Sequence, residues 1–323
     1  MKSFPLSNLI GSSTQFQQVR KQIQKIASVD VAAFISGETG SGKELAVRAI
    51  HYLSARSDQP FVPVNCGALP ETLIESELFG HERGAFTDAK QGAIGLIAEA
   101  DGGSLFLDEI DSLSLKAQAV LLRFLQDGTY RRVGGTVTRQ AHVRVIAASN
   151  ACMEQLVEAR QFRQDLLYRL NILTLRIPSL RERESDALEL AHVFLQRLCK
   201  IYKMPDKCFH LDALAYIKRH SWPGNVRELE NTIHREFLMS DDHWVRLGQV
   251  ADREQPVASA GPGMAFRTAK SQAIAEFERD YLLGLLARTE GNISSAARIA
   301  GQDRSAFARL VRKHGLAKDR STG

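Results

Sequence analysis

The sequence predicts an α/β domain with a parallel sheet, followed by an all-helical region and a second, small all-α domain. Alternating strand and helix patterns run from about residue 9 to 178, which is typical of a parallel sheet covered by helices. After residue 180 the β-branched runs stop, and apolar residues recur at helical spacing. The change in period divides the α/β part from the helical part.

The elements of the α/β part are predicted one by one from their apolar patterns. An amphipathic helix carries Phe16, Val19, Ile23 and Ile26, and residues 31–35 form a short apolar run. Such a run, bounded by polar residues, indicates a buried strand. Four more runs of this kind predict strands at residues 61–64, 104–107, 143–148 and 172–177.

A glycine-rich segment, GETGSGKE at residues 37–44, follows the first predicted strand and precedes a helical pattern. It fits G-x-x-x-x-G-K, and strand, glycine turn and helix in this order form a phosphate cradle. Backbone N–H groups and the positive helix N-terminus hold the anion, and the lysine reaches the outer phosphates. The predicted nucleotide contacts are Gly37, Gly40, Gly42, Lys43 and Glu44.

Two carboxylates, Asp108 and Glu109, end the apolar run GGSLFL. Ligands of open α/β sheets bind at the carboxyl ends of the strands, so Asp108 is predicted to hold Mg²⁺ and Glu109 to deprotonate an attacking water. Asn150, after the strand at 143–148, is suited to position a water or a phosphate oxygen. A Ser or Thr usually follows the cradle lysine, but this chain has Glu44, so metal binding depends more on Asp108.

Composition indicates a globular protein of two or three domains. The chain has 323 residues, with 44% hydrophobic and 24% charged. No run of eighteen apolar residues is present, and the first ten residues lack the apolar core of a signal peptide. We therefore expect a cytoplasmic protein without membrane insertion. The four cysteines form no C-x-x-C pair, which favours free thiols.

The net positive charge lies entirely at the C-terminal end. Residues 264–323 hold 11 of the 42 basic and 6 of the 37 acidic residues, so 31 of each sign precede Met264. Such an asymmetry favours a nucleic-acid-binding domain on a neutral body, although a solvated basic helix is the alternative. Residues 251–263, with two prolines and two glycines, are predicted to be a linker.

Three helices are predicted within residues 275–316. The first contains Phe277, Tyr281, Leu282 and Leu285, and the second begins near Asn292. Gly301 suits the turn, and Asp303 is predicted to cap the third helix, which buries Phe307 and Val311. The residues predicted to face outward, toward a DNA major groove, are Arg304, Ser305, Ala308, Arg309 and Arg312. Arg304 and Arg309 are expected to read bases, and Arg312 with Lys313 to contact phosphates; an additional helical bundle without DNA binding is the alternative.

Five motifs together resemble the AAA+ domain of bacterial enhancer-binding proteins, the ATPases that activate RNA polymerase carrying sigma-54. They are GETGSGKE, ELFGHERGAFTDA (77–89), GGSLFLDEI (102–110), FRQDLLYRLN (162–171) and WPGNVRELEN (222–231). The C-terminal pattern resembles the Fis-type helix-turn-helix of the same family. The resemblance implies an AAA+ P-loop NTPase that uses ATP and Mg²⁺. Its implied domains are an α/β subdomain at 1–178, a helical lid at 179–250, a linker at 251–263 and a helix-turn-helix domain at 264–323.

The resemblance also assigns roles that the residues alone do not reveal. Asn65 matches the asparagine that restrains the catalytic glutamate, and Arg227 matches the lid arginine that senses the γ-phosphate. Asn225, two residues before Arg227, is suited to cap the helix that carries it. Arg163 and Arg169 match the arginines that reach the ATP of a neighbouring subunit, which implies a ring, typically a hexamer. By spacing alone these two arginines lie six residues apart, roughly 120° around a helix, and would pass for surface residues.

Residues 84–89, GAFTDA, resemble the loop with which this family contacts sigma-54, with Phe86 and Thr87 at the contact. Asp88 stands where the family usually has glycine, and it restricts the backbone and adds a negative charge. Two functions therefore remain open. The first is an ATP-driven activator that converts a closed sigma-54 RNA polymerase complex to an open one from enhancer DNA. The second is a DNA-binding regulator or repressor that acts without sigma-54, with nucleotide controlling its oligomerisation.

The source of control is a further open point. The ATPase pattern begins near residue 9. We expect either a regulatory protein that acts in trans, or control through the abundance of the protein, or a longer natural chain.

Overall fold

The computed structural model describes residues 9–86, 89–183, 185–248, 282, 289 and 292–313, with residues 71, 72 and 312 described by their backbone alone. The chain divides into two compact units, at residues 1–249 and 250–323. Each unit is considered by itself.

The first unit is built on a five-stranded parallel sheet. Its strands are β1 (Ala33–Ser36), β2 (Phe61–Asn65), β3 (Ser104–Asp108), β4 (Arg144–Ser149) and β5 (Leu173–Arg176). Their spatial order is β2-β3-β4-β1-β5. All five predicted strands are confirmed, with ends that lie within two residues of the predicted ones. The chain therefore leaves β1 for the far edge of the sheet and returns to it, which creates a crevice at the carboxyl end of β1.

Helices cover both faces of this sheet. They are α1 (Thr14–Ala27), α2 (Lys43–Tyr52), α3 (Glu71–Phe79), α4 (Leu96–Glu99), α5 (Leu115–Asp127), α6 (Met153–Glu158) and α7 (Gln164–Leu170). Successive residues of a strand point to opposite faces, so Leu105 and Leu107 join the core of α3–α7, whereas Phe106 joins the core of α1 and α2. The predicted amphipathic helix is α1, and its four apolar residues are buried.

Two short antiparallel strand pairs and three 3₁₀ turns complete the described α/β part. Two-residue strands pair at Gly80–His81 with Ala93–Ile94, and at Thr129–Tyr130 with Arg139–Gln140. Single 3₁₀ turns lie at Cys66–Ala68, Ile110–Ser112 and Leu180–Glu182. The three 3₁₀ turns follow β2, β3 and β5, at the carboxyl edge of the sheet.

The described residues after 180 form α8 (Asp186–Tyr202), α9 (Leu211–Arg219) and α10 (Asn225–Met239). Helical spacing predicted α8 and α10, whereas α9 had no individual prediction. Their apolar faces form a separate core around Trp222, Leu229, Ile233 and Phe237. The prediction of an all-helical region was wrong in one detail, because Cys208–Phe209 pairs in parallel with Trp244–Val245. Two-residue strands of this length lack a periodic signal, so only the folded packing of the two segments reveals them.

In the second unit the described residues include α11 (Ile293–Ile299) and α12 (Arg304–Lys313). Asn292 caps α11 by accepting from the N–H groups of Ser294 and Ser295. Gly301 adopts a φ of +63° in the turn, and the Asp303 carboxylate accepts from Ser305 N at 3.1 Å. Phe307 and Val311 are buried, as predicted.

Two other predictions for this unit cannot be compared. Leu282 is buried and helical, whereas Phe277, Tyr281 and Leu285 lie outside the described residues. The predicted linker at 251–263 lies outside them as well. Within the described part of the chain, no helix has both the length and the apolar character required to cross a membrane.

Candidate nucleotide site

The phosphate loop joins β1 to α2 at the crevice in the sheet. Gly40 and Gly42 have φ values of +74° and +100°, a region that only glycine enters without strain. A Cβ on Gly40 would lie 2.4 Å from the carbonyl oxygen of Gly224. Gly42 is the N-cap of α2 and carries no side chain, so the first N–H groups of the helix remain available to an anion. The loop therefore fits the phosphates of a nucleotide.

Lys43 begins α2 and is half-buried. Its Nζ donates to the carbonyl oxygens of Gly37 at 2.8 Å and Glu38 at 3.2 Å. Burial lowers the pKa of the Lys43 ammonium, and the carboxylates of Asp108 and Glu109 act in the opposite direction. The positive charge thus lies between the phosphate loop and the acidic pair, where a bound phosphate would meet both.

Glu44 follows on the first turn of α2, and its carboxylate is exposed. Its Oε1 accepts from Arg48 Nε at 2.9 Å and from Arg48 Nη2 at 2.7 Å. The two residues form an i,i+4 ion pair along the helix. The role of Glu44 as a nucleotide contact stays a prediction.

The acidic pair lies at the end of β3, as predicted. Asp108 is the last residue of the strand and half-buried, and burial raises the pKa of its carboxyl against the opposing effect of Lys43. Glu109 follows with φ of 53° and ψ of 46°, a left-handed conformation that is uncommon outside glycine and often marks functional sites. The Glu109 N–H donates to Asp108 Oδ1 at 3.1 Å.

Gly67 lies against the Glu109 carboxylate, and the sequence analysis missed it. A Cβ on Gly67 would lie 2.2 Å from Glu109 Oε2 and 3.4 Å from Asn65 Oδ1. A side chain at this position would displace the Glu109 carboxylate from its present place. A glycine in VNCGAL carries no motif that could have revealed this contact, because it depends on the alignment of β2 with β3.

Asn65 ends β2 directly beside Asp108, since the two residues are partners in the parallel register. Its Oδ1 accepts from Ala68 N at 3.0 Å and so closes the turn that carries Gly67. The structure therefore brings Asn65 and Glu109 to the same glycine. The restraint of Glu109 by Asn65 stays a prediction.

Asn150, at the end of β4, reaches the phosphate loop. Its Nδ2 donates to Thr39 Oγ1 at 2.9 Å. The preceding Ser149 donates its hydroxyl to the carboxylate of Asp111. Thr39 is thus a further polar side chain at the site, which the pattern G-x-x-x-x-G-K does not single out.

The lid contributes the first turn of α10. Arg227 is exposed there, and its Cβ would lie 3.0 Å from a Cβ placed on Gly40. We expected the preceding Asn225 to cap this helix, but Gly224 occupies the N-cap position. Asn225 is instead fully buried with a φ of +53°, and its side chain bonds to the phosphate loop and to Leu180.

Arg163 and Arg169 do not share a helix, contrary to the spacing estimate. Arg163 is the N-cap of α7 and pairs in bidentate fashion with Asp165, at 2.7 and 3.0 Å. Arg169 lies within α7 and its Nε donates to the Leu125 carbonyl at 3.1 Å. Because residue 163 has extended backbone, the angular separation of a continuous helix does not apply.

Arg169 also lines a cavity of about 460 Å³ together with Asp30 and Arg144. These two residues stand at the amino-terminal ends of β1 and β4. The phosphate loop lies at the opposite, carboxyl-terminal edge of the same sheet. A six-residue strand is roughly 20 Å long at about 3.3 Å per residue, so Arg169 does not reach the phosphate loop of its own chain.

The loop with Phe86 is closed at its base. Gly84 N donates to the Ala89 carbonyl at 2.8 Å, and Glu82 N donates to the Val133 carbonyl at 3.0 Å. Phe86 remains 37% exposed, with its ring centroid 4.9 Å from that of His81. The predicted contact residue Thr87, and Asp88, lie outside the described residues.

On α12 the predicted DNA-facing residues lie mainly on the exposed side. Arg304, Ser305 and Arg309 are exposed, and Ala308 is half-buried. The Ser305 hydroxyl donates to the carboxylate of Asp303. The side chain of Arg312 lies outside the described structure.

The sheet order, the phosphate loop and the acidic pair at the end of β3 define an ATPase of the AAA+ P-loop class. Residues 9–176 match the sigma-54 interaction domain, and residues 181–260 match the AAA+ ATPase lid domain. The chain belongs to the sigma-54 interaction domain family.

Two relatives and one solved structure indicate the extent of the similarity. The chain is 40% identical over 312 residues to the alginate biosynthesis transcriptional regulatory protein AlgB of Pseudomonas syringae pv. tomato, covering 97% of this chain and 68% of that protein. It is 42% identical over 311 residues to the transcriptional regulatory protein ZraR of Salmonella typhi, covering 96% and 68%. NtrX from Brucella abortus, solved in complex with ATP, superposes with a TM-score of 0.72 at 32% identity, covering 95% of this chain and 69% of that one.

Proposed function

We propose that this protein is a sigma-54-dependent transcriptional activator that hydrolyses ATP in a ring, typically a hexamer. Hydrolysis drives the loop at 84–89 against sigma-54 and converts a closed RNA polymerase complex to an open one, while the C-terminal unit holds enhancer DNA. The observation that carries the proposal is the sigma-54 interaction domain at residues 9–176, which contains both the nucleotide site and this loop. The activity is expected in the cytoplasm.

The position of α3 supports a coupling between the nucleotide and the loop. Gly67, which abuts the Glu109 carboxylate, precedes α3 by only a few residues. The helix ends at Phe79, and the paired strand Gly80–His81 leads directly into the loop. A change of the Glu109 position on hydrolysis thus has a short path through one helix to Phe86.

Within the site, Lys43 and the N-terminus of α2 bind the phosphates, and Asp108 holds Mg²⁺, which supplies charge neutralisation on the phosphates when bound. Glu109 accepts the proton of the attacking water, Asn150 positions a water or a phosphate oxygen, and Arg227 of the lid senses the γ-phosphate. Arg163 and Arg169 act on the nucleotide of a neighbouring subunit, where a guanidinium stabilises the charge on the transferring phosphoryl group. The distance of Arg169 from its own phosphate loop favours this arrangement. A regulatory protein in trans stays a prediction.

The loop is tested by open-complex formation with sigma-54 RNA polymerase and ATP on a promoter with an upstream enhancer. Thr87→Ala is expected to abolish opening while ATP hydrolysis stays within about threefold of the wild-type rate, because a tip contact lies outside the chemistry. Val137→Ala is the matched control, since Val137 is an exposed apolar residue, 63% accessible, on the neighbouring 131–139 segment. The control is expected to open the promoter normally.

Other outcomes decide between the two functions. A wild-type protein that hydrolyses ATP and opens no promoter would favour the regulator that acts without sigma-54. The next variant is then Asp88→Gly, which restores the residue usual in the family. Opening by Thr87→Ala at the wild-type rate would remove this residue from the contact.

The DNA-binding role rests on the exposed basic face of α12. Arg309→Ala is expected to weaken specific DNA binding by at least about tenfold, since a bidentate base contact contributes about 1–3 kcal/mol. Arg298→Ala, an exposed arginine on α11, is the matched control and is expected to change affinity by less than about threefold. An electrophoretic mobility shift assay at one fixed salt concentration measures the DNA affinity of both variants. Equal losses for the two variants would indicate a non-specific basic surface.

A further inference from the structure

The phosphate loop turns three consecutive carbonyl groups toward the lid. Asn225 Nδ2 donates to the Thr39 oxygen at 3.1 Å, Val226 N donates to the Gly40 oxygen at 3.0 Å, and Arg183 Nη2 donates to the Ser41 oxygen at 2.7 Å. In a trans peptide the N–H points away from the C=O of the same unit. Fixing these carbonyls on the lid side therefore directs the N–H groups of Gly40 and Gly42 to the opposite side, where phosphates bind.

The carboxylate of Glu38 is drawn to the same side. Arg181 Nη1 donates to its Oε2 at 2.9 Å, Arg181 Nη2 contacts its Oε1, and Asn225 Nδ2 donates to its Oε2 at 3.0 Å. These donors, Arg181 first, lower the pKa of Glu38 to about 2. An ionised carboxylate within a phosphate loop would repel a nucleotide if it turned inward, and these contacts hold it outward.

Asn225 is the residue that joins these contacts. Its side chain is fully buried, and its Oδ1 accepts from the Leu180 N–H at 2.8 Å while its Nδ2 bonds to Glu38 and Thr39. Its φ of +53° is a left-handed conformation that glycine adopts freely and that asparagine tolerates better than most other residues. The backbone alone would favour glycine here, so the side-chain amide is the feature that the position requires.

We propose that Asn225 is a positioning residue of the ATPase, whose amide fastens the phosphate loop to the lid and sets the affinity for ATP without touching the nucleotide. The contact spans 187 residues of chain between Asn225 and Glu38. Because these hydrogen bonds join the lid to the phosphate loop, a change in the position of the lid also changes the conformation of the loop. Arg181 supports it by neutralising Glu38.

Equilibrium binding of ATP, measured by displacement of a fluorescent ATP analogue, tests this proposal without requiring a ring. Asn225→Asp keeps the acceptor for Leu180 but places a carboxylate against Glu38. It is expected to raise the dissociation constant for ATP by about tenfold or more, as losing a buried hydrogen bond to a charged group does. Adding Glu38→Gln removes the repulsion and supplies a donor, so the double variant is expected to recover most of the lost affinity. This specific rescue distinguishes positioning from a general loss of structure.

Asn225→Gly provides a second, independent variant because it relieves the backbone strain while deleting the amide. It is expected to weaken ATP binding by about tenfold or more in a protein that still unfolds in one cooperative transition. Lys203→Gly is the matched control, since Lys203 has a φ of +51° on the exposed end of α8 in the same lid. The affinity of this variant for ATP is expected to be unchanged. Wild-type ATP affinity in both Asn225 variants, or a double variant no better than Asn225→Asp alone, would overturn the proposal.

Discussion

Lys43→Ala is expected to weaken ATP binding by about 100-fold, because each charge-assisted hydrogen bond lost contributes about 1.5–3 kcal/mol. Lys43 Nζ is the half-buried cation between the phosphate loop and the acidic pair, held by the carbonyls of Gly37 and Glu38. Without the lysine, the carboxylates of Asp108 and Glu109 have no neighbouring cation to offset them, and their negative charge repels the phosphates of ATP. Isothermal titration with ATP measures the change.

The matched control for this variant is Arg48→Ala, on the same helix. Arg48 pairs with Glu44 on the surface of α2, and such exposed pairs contribute little. We expect its ATP dissociation constant to stay within about threefold of wild type. An unchanged affinity in Lys43→Ala would exclude the phosphate loop as the nucleotide site.

Glu109→Gln is expected to retain ATP binding and lose turnover. Glutamine has nearly the same shape as glutamate, so it fits the space beside Gly67. In that space the Glu109 Oε2 lies 2.2 Å from a Cβ placed on the glycine. Glutamine cannot accept a proton from water, and positioned general bases contribute about 10²–10⁴-fold to rate. We expect kcat to fall by at least about 100-fold, with the ATP dissociation constant nearly unchanged. Phosphate release and equilibrium binding measure the two quantities separately.

Asp111→Asn is the control for Glu109→Gln, because it converts another carboxylate, two residues along the chain, to an amide. Asp111 accepts the hydroxyl hydrogen of Ser149, and an asparagine oxygen can accept it as well. Its kcat is expected to remain within about threefold of wild type. Near-wild-type hydrolysis by Glu109→Gln would assign the general base to another residue.

The strands, the phosphate loop and the acidic pair were all predictable from the sequence because each is a local pattern. A short apolar run, two glycines that allow positive φ, and a lysine at the start of a helix lie within about a dozen residues. The buried faces of α1 and α10 follow the same logic, since a period of 3.6 residues is visible in neighbouring positions.

Residues that act through the register of the sheet could not be predicted in this way. Gly67 matters because β2 lies beside β3 and places Asn65 opposite Asp108. The six-residue spacing was converted to an angle as if Arg163 and Arg169 shared one helix. Arg163 has an extended backbone at the N-cap instead, and its N–H donates to the buried Gln118 side chain.

The sequence by itself determined the class of fold, the position of the phosphate loop and the residue types of the site, because these follow from backbone preferences and periodicity over short distances. Only the tertiary structure decided which distant residues support that site. Asn225 had been expected to cap a helix, yet it bonds to Glu38 and Thr39. Packing of the lid against the loop sets this choice of partner, and such packing depends on the whole folded chain.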